Sequence, residues 1–288
     1  MTANPSRVAR LSRFRLTTAD ARSVATFYES AFGCRRIATD RLYGPDFARL
    51  MGVTGGADRI TLNLGSEVIE LVQFDVPGEP YPPASSSSDL VFQHFAIVVA
   101  DMRGAFQRLS AIPGWSAISS AGPERLPASS GSDIAFKFRD PEGHPLELLE
   151  FRHDTRSNRP GVSPDDACLG IDHSAISVVD TAASIAFYQN LGFSVSARSF
   201  NHGSEQQKLD DVPDAQVEVT ALTPRCPTPH LELLCYRMRQ KRPVLARRSN
   251  DVASTQLVFE LCRTATALDS DLKMRSMRDP DGHAFLIV

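Results

Sequence analysis

The chain has 288 residues, 31 Lys and Arg against 34 Asp and Glu, and a net charge of -3 at neutral pH. That balance excludes a general electrostatic attraction to nucleic acid or anionic lipid, and no apolar run reaches the roughly 18–20 residues needed to span a bilayer. The five cysteines, Cys34, Cys168, Cys226, Cys235 and Cys262, are scattered, odd in number and without a C-x-x-C pair, which points to neither a disulfide framework nor a structural zinc site. The opening residues, MTANPSRVARLSRF, lack the apolar core of a signal peptide. A soluble cytoplasmic protein of two domains is therefore expected, at roughly 100–200 residues per domain.

In chain order, a strand-like run at Val8–Leu16 is followed by Asp20 as a helix cap and by ADARSVATFYESAF, whose Val24, Phe27, Tyr28, Ala31 and Phe32 share one face. Gly33 fits the left-handed position that ends a helix. An irregular stretch, YGPDFARLMGVTGGAD, precedes RITLNLGSEVIELVQF, which reads as a hairpin turning at Gly65-Ser66. The Pro- and Ser-rich PGEPYPPASSSSD closes this first module near Asp89.

A second module opens on FQHFAIVVAD, continues with a helix over about 102–112, and ends in FKFRDPEGHPLELLEF, a hairpin around the turn residues of DPEG. The polar, aperiodic HDTRSNRPGVSPDDACLG from His153 to Gly170 is the clearest domain boundary. A third module begins at IDHSAISVVD, runs through the helix TAASIAFYQNLG and ends at HLELLCY. The basic RMRQKRPVLARR reads as a solvated connector. A fourth module, from TQLVFELCR to RDPDGHAFLIV, is about half the length of the others, so it has lost part of its middle. The fold class expected is α+β: four βαβββ modules, paired because a unit of this size cannot bury its helix alone, forming two curved mixed-sheet domains with an abbreviated fourth module.

The chemistry-bearing residues recur at fixed phase. His94 and His173 sit in otherwise apolar first strands, where module one has Arg13 and module four Gln256. Glu70, Glu147 and Glu232 sit among Leu and Ile in the last strands, where module four has Leu286. A carboxylate on a buried strand face is costly without a partner, and imidazole with carboxylate suits Mn, Fe, Co, Ni or Zn. A lone strand His or Glu is usually a packed or solvent-facing residue; repetition at the same phase argues for a shared role. His144 and His283 read as turn residues, and His230 as support for Glu232. Tyr43 and Phe47 are candidates for a cleft wall or for core packing.

Through FYESAFG, FYQNLGF, HFAIVVADM and RDPEGHPLELLEF the chain resembles the vicinal oxygen chelate superfamily, which includes glyoxalase I, extradiol dioxygenases, methylmalonyl-CoA epimerase, fosfomycin-resistance proteins and bleomycin-binding proteins. The resemblance implies paired modules forming a cleft, with a divalent metal held by first-strand His or Gln and last-strand Glu. The metal candidates it marks are His94, Glu147, Glu70, His173, Glu232 and Gln256. It implies Glu147 or Glu70 as the catalytic carboxylate and a small-molecule substrate, with Arg13, Tyr43 and Phe47 on the substrate side. Arg13 is open to two readings, an ion pair that replaces the metal or an anion-binding group.

Pairing in chain order, over 1–155 and 168–288, would group Glu70, His94 and Glu147 in one cleft and His173, Glu232 and Gln256 in the other. Pairing module two with module three would instead assemble His94, Glu147, His173 and Glu232, leaving a dead site. Chain-order pairing is the expectation. The activity implied is that of a glyoxalase-like lyase or isomerase, with a metal-free binding or resistance protein as the alternative and an extradiol-type dioxygenase behind both. A monomer or homodimer is expected.

Overall fold

The computed structural model describes residues 7–127, 133–152, 166–237, 247–262 and 274–288. Most of the 153–170 boundary and of the basic connector lies outside the described residues. Module one runs β1 (Val8–Thr17), α1 (Ala21–Phe32), β2 (Arg35–Leu42), α2 (Pro45–Met51), β3 (Ala57–Leu64) and β4 (Glu67–Phe74). The Asp20 side chain accepts from the backbone N–H of Arg22 and Ser23, satisfying donors that the first turn of α1 leaves open. Gly33 ends the helix at φ +72°, a conformation that costs a residue without Cβ nothing. α2 lies inside the stretch read as irregular: Pro45 sits in its first turn and Gly52 caps its end, but seven residues are too few for a helical period to show.

Module two contains β5 (Gln93–Val99), α3 (Met102–Ser110), β6 (Ser116–Ala117), β7 (Glu124–Arg125), β8 (Ile134–Arg139) and β9 (Pro145–Glu150). Module three contains β10 (Cys168–Ser177), α4 (Thr181–Asn190), β11 (Ser194–His202), α5 (Ser204–Asp210), β12 (Gln216–Thr223) and β13 (His230–Tyr236). Module four keeps β14 (Gln256–Leu261), β15 (Arg275–Arg278) and β16 (Ala284–Ile287) among the described residues. In every module the first and last strands lie side by side and parallel, which brings the two repeated-phase positions onto one face.

The modules do not share sheets in chain order. One mixed sheet runs β15-β16-β14-β1-β4-β3-β2 and joins modules one and four; the other runs β11-β12-β13-β10-β5-β9-β8-β6, with β7 on β8, and joins modules two and three. In each, the two first strands meet antiparallel, β1 on β14 and β5 on β10. This corrects the expected chain-order clefts. All seven residues of β5 are buried, so it must be paired on both edges, and β9 and β10 provide those edges.

The Pro- and Ser-rich segment between β4 and β5 is no loose linker. Ser87 is buried and bonded to the carbonyl of Asp210, Ser177 Oγ donates to the Ser87 carbonyl, and Val252 N–H donates to the Glu79 carbonyl. The segment carries the chain from one sheet to the other and ties down modules three and four on the way.

The apolar faces of the two sheets turn toward each other, with α1 packed on β3 and β4 and touching α3. Phe14 of β1 meets Phe95 of β5 with ring centroids 5.2 Å apart, inside one continuous core drawn from all four modules. Chain-order neighbours thus touch through this core and through a repeated clasp. Asp140 in the module-two turn accepts from Tyr28 Oη of α1 and from His144 Nδ1, while His144 Nε2 donates to the Thr17 carbonyl. Modules three and four repeat it with Tyr188 Oη on Asp279 and His283 Nε2 on the Ser177 carbonyl. The two turn histidines are buried inter-module contacts.

Candidate metal centre

Strand alternation sets the site. On β5, Phe95, Ile97 and Val99 enter the core, so His94 and Ala96 face the opposite, concave side; on β9, Leu146 and Leu148 enter the core and Glu147 faces the concavity. β10 and β13 repeat this with His173 and Glu232. The register places Ala175 opposite His94 and Ala96 opposite His173. Each imidazole therefore has a methyl group for a cross-strand neighbour, and the centre of the face stays open.

Four side chains converge there. His94 Nε2 lies 2.9 Å from Glu147 Oε2, His173 Nε2 lies 3.6 Å from the same oxygen, and His173 Nε2 lies 3.5 Å from Glu232 Oε2. The ligand atoms of His94, Glu147 and His173 all fall within 4.8 Å of one another. Ligands held about 2.1 Å from one cation at tetrahedral or octahedral angles lie ~3.0–3.4 Å apart, so the spacing fits a divalent transition ion. Two imidazoles with carboxylates are a donor set such an ion accepts. The outer contacts fit as well: His173 Nδ1 meets Asp172 Oδ2 at 3.1 Å, the carboxylate support that holds a ligating imidazole in one tautomer.

The electrostatics follow from burial and partners. Burial pushes His94 below the usual imidazole range, and the Glu147 carboxylate offsets only part of this. His94 is thus neutral, and shifting its single proton to Nδ1, buried and without a partner among the described residues, frees Nε2 as a ligand. Burial also acts to lower His173, but Glu232, Asp172 and Glu147 outweigh it and hold the ring protonated well above its ordinary range. Glu147 shows the converse: burial raises it, while the His173 and His94 imidazoles and Lys137 bring it well below the usual carboxylate range. Glu232 is lowered too, with His173 and His230 overcoming its burial.

A cavity of about 500 Å³ opens onto this cluster. Its floor includes a network the sequence reading missed. Lys137, directly across from Glu147 on β8, is buried and bonded to Asp210 Oδ1 at 2.7 Å. Tyr236 Oη at 2.8 Å and Gln206 Nε2 at 2.6 Å both donate to Asp210 Oδ2. Lys137 was visible as a cation in the apolar run IAFKF; Asp210, in a polar stretch, gave no signal. His230, expected to support Glu232, lies 3.5 Å from it and 3.7 Å from Asp172.

The remaining candidates lie on the other sheet, at the same register positions with other chemistry. Arg13 and Gln256 occupy the histidine positions, and Arg15 and Val258 the alanine positions. Glu70, buried, is met by Arg15 at 2.7 Å, by Arg59 at 3.0 Å and by Arg13 at 3.5 Å. Arg15, rather than Arg13, is the buried partner, and its side chain fills the space left open at Ala96. Burial pulls the Arg15 guanidinium downward against the pull of Glu70. Gln256 rests against Met51 Sδ at 3.9 Å and Leu286 is buried. Glu70 and Gln256 are thus not brought to His94 or His173. Phe47 lines a separate cavity on this side, and Tyr43 is 75 % exposed outside it.

Comparison with known proteins agrees with this architecture. The structure superposes on glyoxalase I from Zea mays with a TM-score of 0.57 at 19% identity, covering 98% of this chain and 92% of that one. A variant of the same maize protein gives 0.59 at 18% identity, again over 98% and 92%. A dioxygenase-like protein from Bacillus subtilis subsp. subtilis str. 168 gives 0.58 at 11% identity over 98% and 85%. No curated protein matches the sequence. The profile of the Glyoxalase/Bleomycin resistance protein/Dioxygenase superfamily matches residues 10–148 and 170–287, nearly the whole chain and all four modules, and the protein belongs to that superfamily.

Proposed function

We propose that the cleft between modules two and three is the centre of a metal-dependent, glyoxalase-like enzyme acting on a small oxygen-bearing substrate by lyase or isomerase chemistry. The observation that carries this reading is the convergence of His94, His173 and Glu147 within 4.8 Å at the floor of an open cavity. Mn, Fe, Co, Ni or Zn would be held by these three, with Glu232 beside His173, and when bound would act as a Lewis acid on a substrate carbonyl.

The protein's own groups divide the remaining work. Glu147, with its side chain 8% exposed and fixed by two imidazoles, is an anchoring carboxylate; Glu232, 22% exposed at the cavity edge, is the one with room to take a proton from a substrate carbon. Against its burial, His173 and His230 hold it below the usual carboxylate range, so it is ionised at neutral pH. His230, 3.5 Å from Glu232 Oε1, orients that carboxylate. Lys137 lies on the floor as an ion pair with Asp210 and adds an N–H donor for a substrate oxygen.

The test is exchange of a carbon-bound proton next to a carbonyl with deuterated solvent, followed by NMR over a panel of small 2-oxo and 2-hydroxy compounds with each metal in turn. Metal-dependent exchange that disappears in Glu232→Gln supports the reading; exchange that survives in Glu232→Gln moves the base elsewhere. A second reading, a metal-free small-molecule binding protein, is favoured by the direct His94–Glu147 bond, which gives His94 Nε2 and Glu147 Oε2 each a partner without a cation. A protein that takes up none of the five metals and still binds ligands in this cavity would be of that kind.

A further inference from the structure

We propose that the cleft between modules one and four is a second binding site, independent of any metal, for an organic carboxylate with an apolar body. A cavity of about 440 Å³ lies on this side, with Arg15, Arg59 and the mutually paired Asp46 and Arg49 as its polar lining and Leu42, Phe47, Leu50 and Met274 as its apolar lining. Phe47 is braced by stacking on Phe74, with centroids 6.0 Å apart and planes 21° from parallel.

The charges around Arg15 and Arg59 do not cancel. Three guanidiniums, Arg13, Arg15 and Arg59, face two carboxylates, Glu70 and Asp40, leaving one positive charge in excess. Arg15 spends Nε and Nη2 on Glu70, and among the described residues no acceptor meets its Nη1. Arg59 gives Nε and Nη2 to Asp40 and one Nη1 hydrogen to Glu70, so its second Nη1 hydrogen is available beside the cavity. Arg15 is buried and paired with Glu70, so the excess falls on the partly exposed Arg13 and Arg59, of which Arg59 lines the cavity. One carboxylate would balance the excess, and the planar guanidinium fork matches carboxylate geometry. A dianion would overshoot by one charge, and a purely polar anion would leave the apolar wall wet. The ligand is therefore a monoanion carrying an aliphatic or aromatic body.

The experiment is isothermal titration calorimetry of the full chain in excess EDTA, with octanoate as the probe and 1-octanol and inorganic phosphate as controls. One saturable octanoate site per chain is expected, with octanol and phosphate each at least tenfold weaker. Arg59→Met should weaken octanoate at least tenfold. Leu50→Trp, which fills the cavity from its apolar side and leaves the buried ion pairs intact, should do the same. His94→Ala, in the other cleft, should leave it unchanged. Absence of octanoate binding, binding that survives both Arg59→Met and Leu50→Trp, phosphate binding as tight as octanoate, or loss of binding in His94→Ala would each overturn the proposal.

Discussion

The two clefts are built on one plan and differ in what stands two residues after the ligand position. In the cleft of modules two and three those residues are Ala96 and Ala175, and His94, His173 and Glu147 converge across the space they leave, with Glu232 3.5 Å from His173. In the cleft of modules one and four the same register holds Arg15 and Val258, and Arg15 reaches the buried Glu70 at 2.7 Å. A carboxylate on a buried strand must be neutralised. One cleft does this with imidazoles, the other with permanent guanidiniums. The same backbone thus carries titratable positive groups in one cleft and permanent ones in the other.

The largest expected effect breaks the second cleft. Glu70→Ala removes the partner of a buried guanidinium and should cost about 3–5 kcal/mol of stability, read as a shift in urea midpoint; a loss below about 1 kcal/mol would mean that Arg15 finds water or another acceptor. In the first cleft, Glu147→Ala should weaken metal binding by more than about 100-fold, since outer-shell partners alone are worth about 10–100-fold, measured by competition with a chromogenic chelator.

The pH dependence sharpens the contrast. His173 is raised by Glu232, Asp172 and Glu147 against the effect of burial. In the metal-free protein it therefore contributes stability that is fully present below about pH 6.5, the unfolded value, and is lost as pH rises through its higher folded value. Metal binding needs the ring neutral, so affinity should climb over that same window by about tenfold per pH unit for one released proton; a flat profile would remove His173 from the ligand set. The smallest effects test the clasp shared by both halves: Tyr28→Phe and Tyr188→Phe each lose one hydrogen bond to a turn aspartate and should each cost about 1 kcal/mol, with similar thermal shifts.

The module plan was legible because its signals are local. Asp20, Asp101 and Asp180 cap helices in the structure, the hairpins turn at Gly65-Ser66 and at DPEG, and the phase of His94, His173, Glu147 and Glu232 follows from strand alternation. Which modules share a sheet was not legible in this way. Periodicity fixes the faces of a strand but not its edge partner, and the Pro- and Ser-rich strap read as a module end is the segment that carries the chain between sheets. Arg15 escaped notice for a related reason: it becomes a cleft residue only once Ala96 and Ala175 are aligned with it. Asp210 and Asp172 gained their roles only when α5 and β10 folded against module two.

The central claim is that one cleft per chain holds a divalent metal and that alanine at position 96 makes room for it. The most direct measurement is metal content by mass spectrometry after loading and desalting, on wild type, Ala96→Arg and Arg15→Ala. The account expects about one equivalent per chain in wild type, none in Ala96→Arg, and no second equivalent in Arg15→Ala, because Leu286 offers no carboxylate there. Wild type that retains no metal, or an Ala96→Arg protein that still retains a full equivalent, would contradict it.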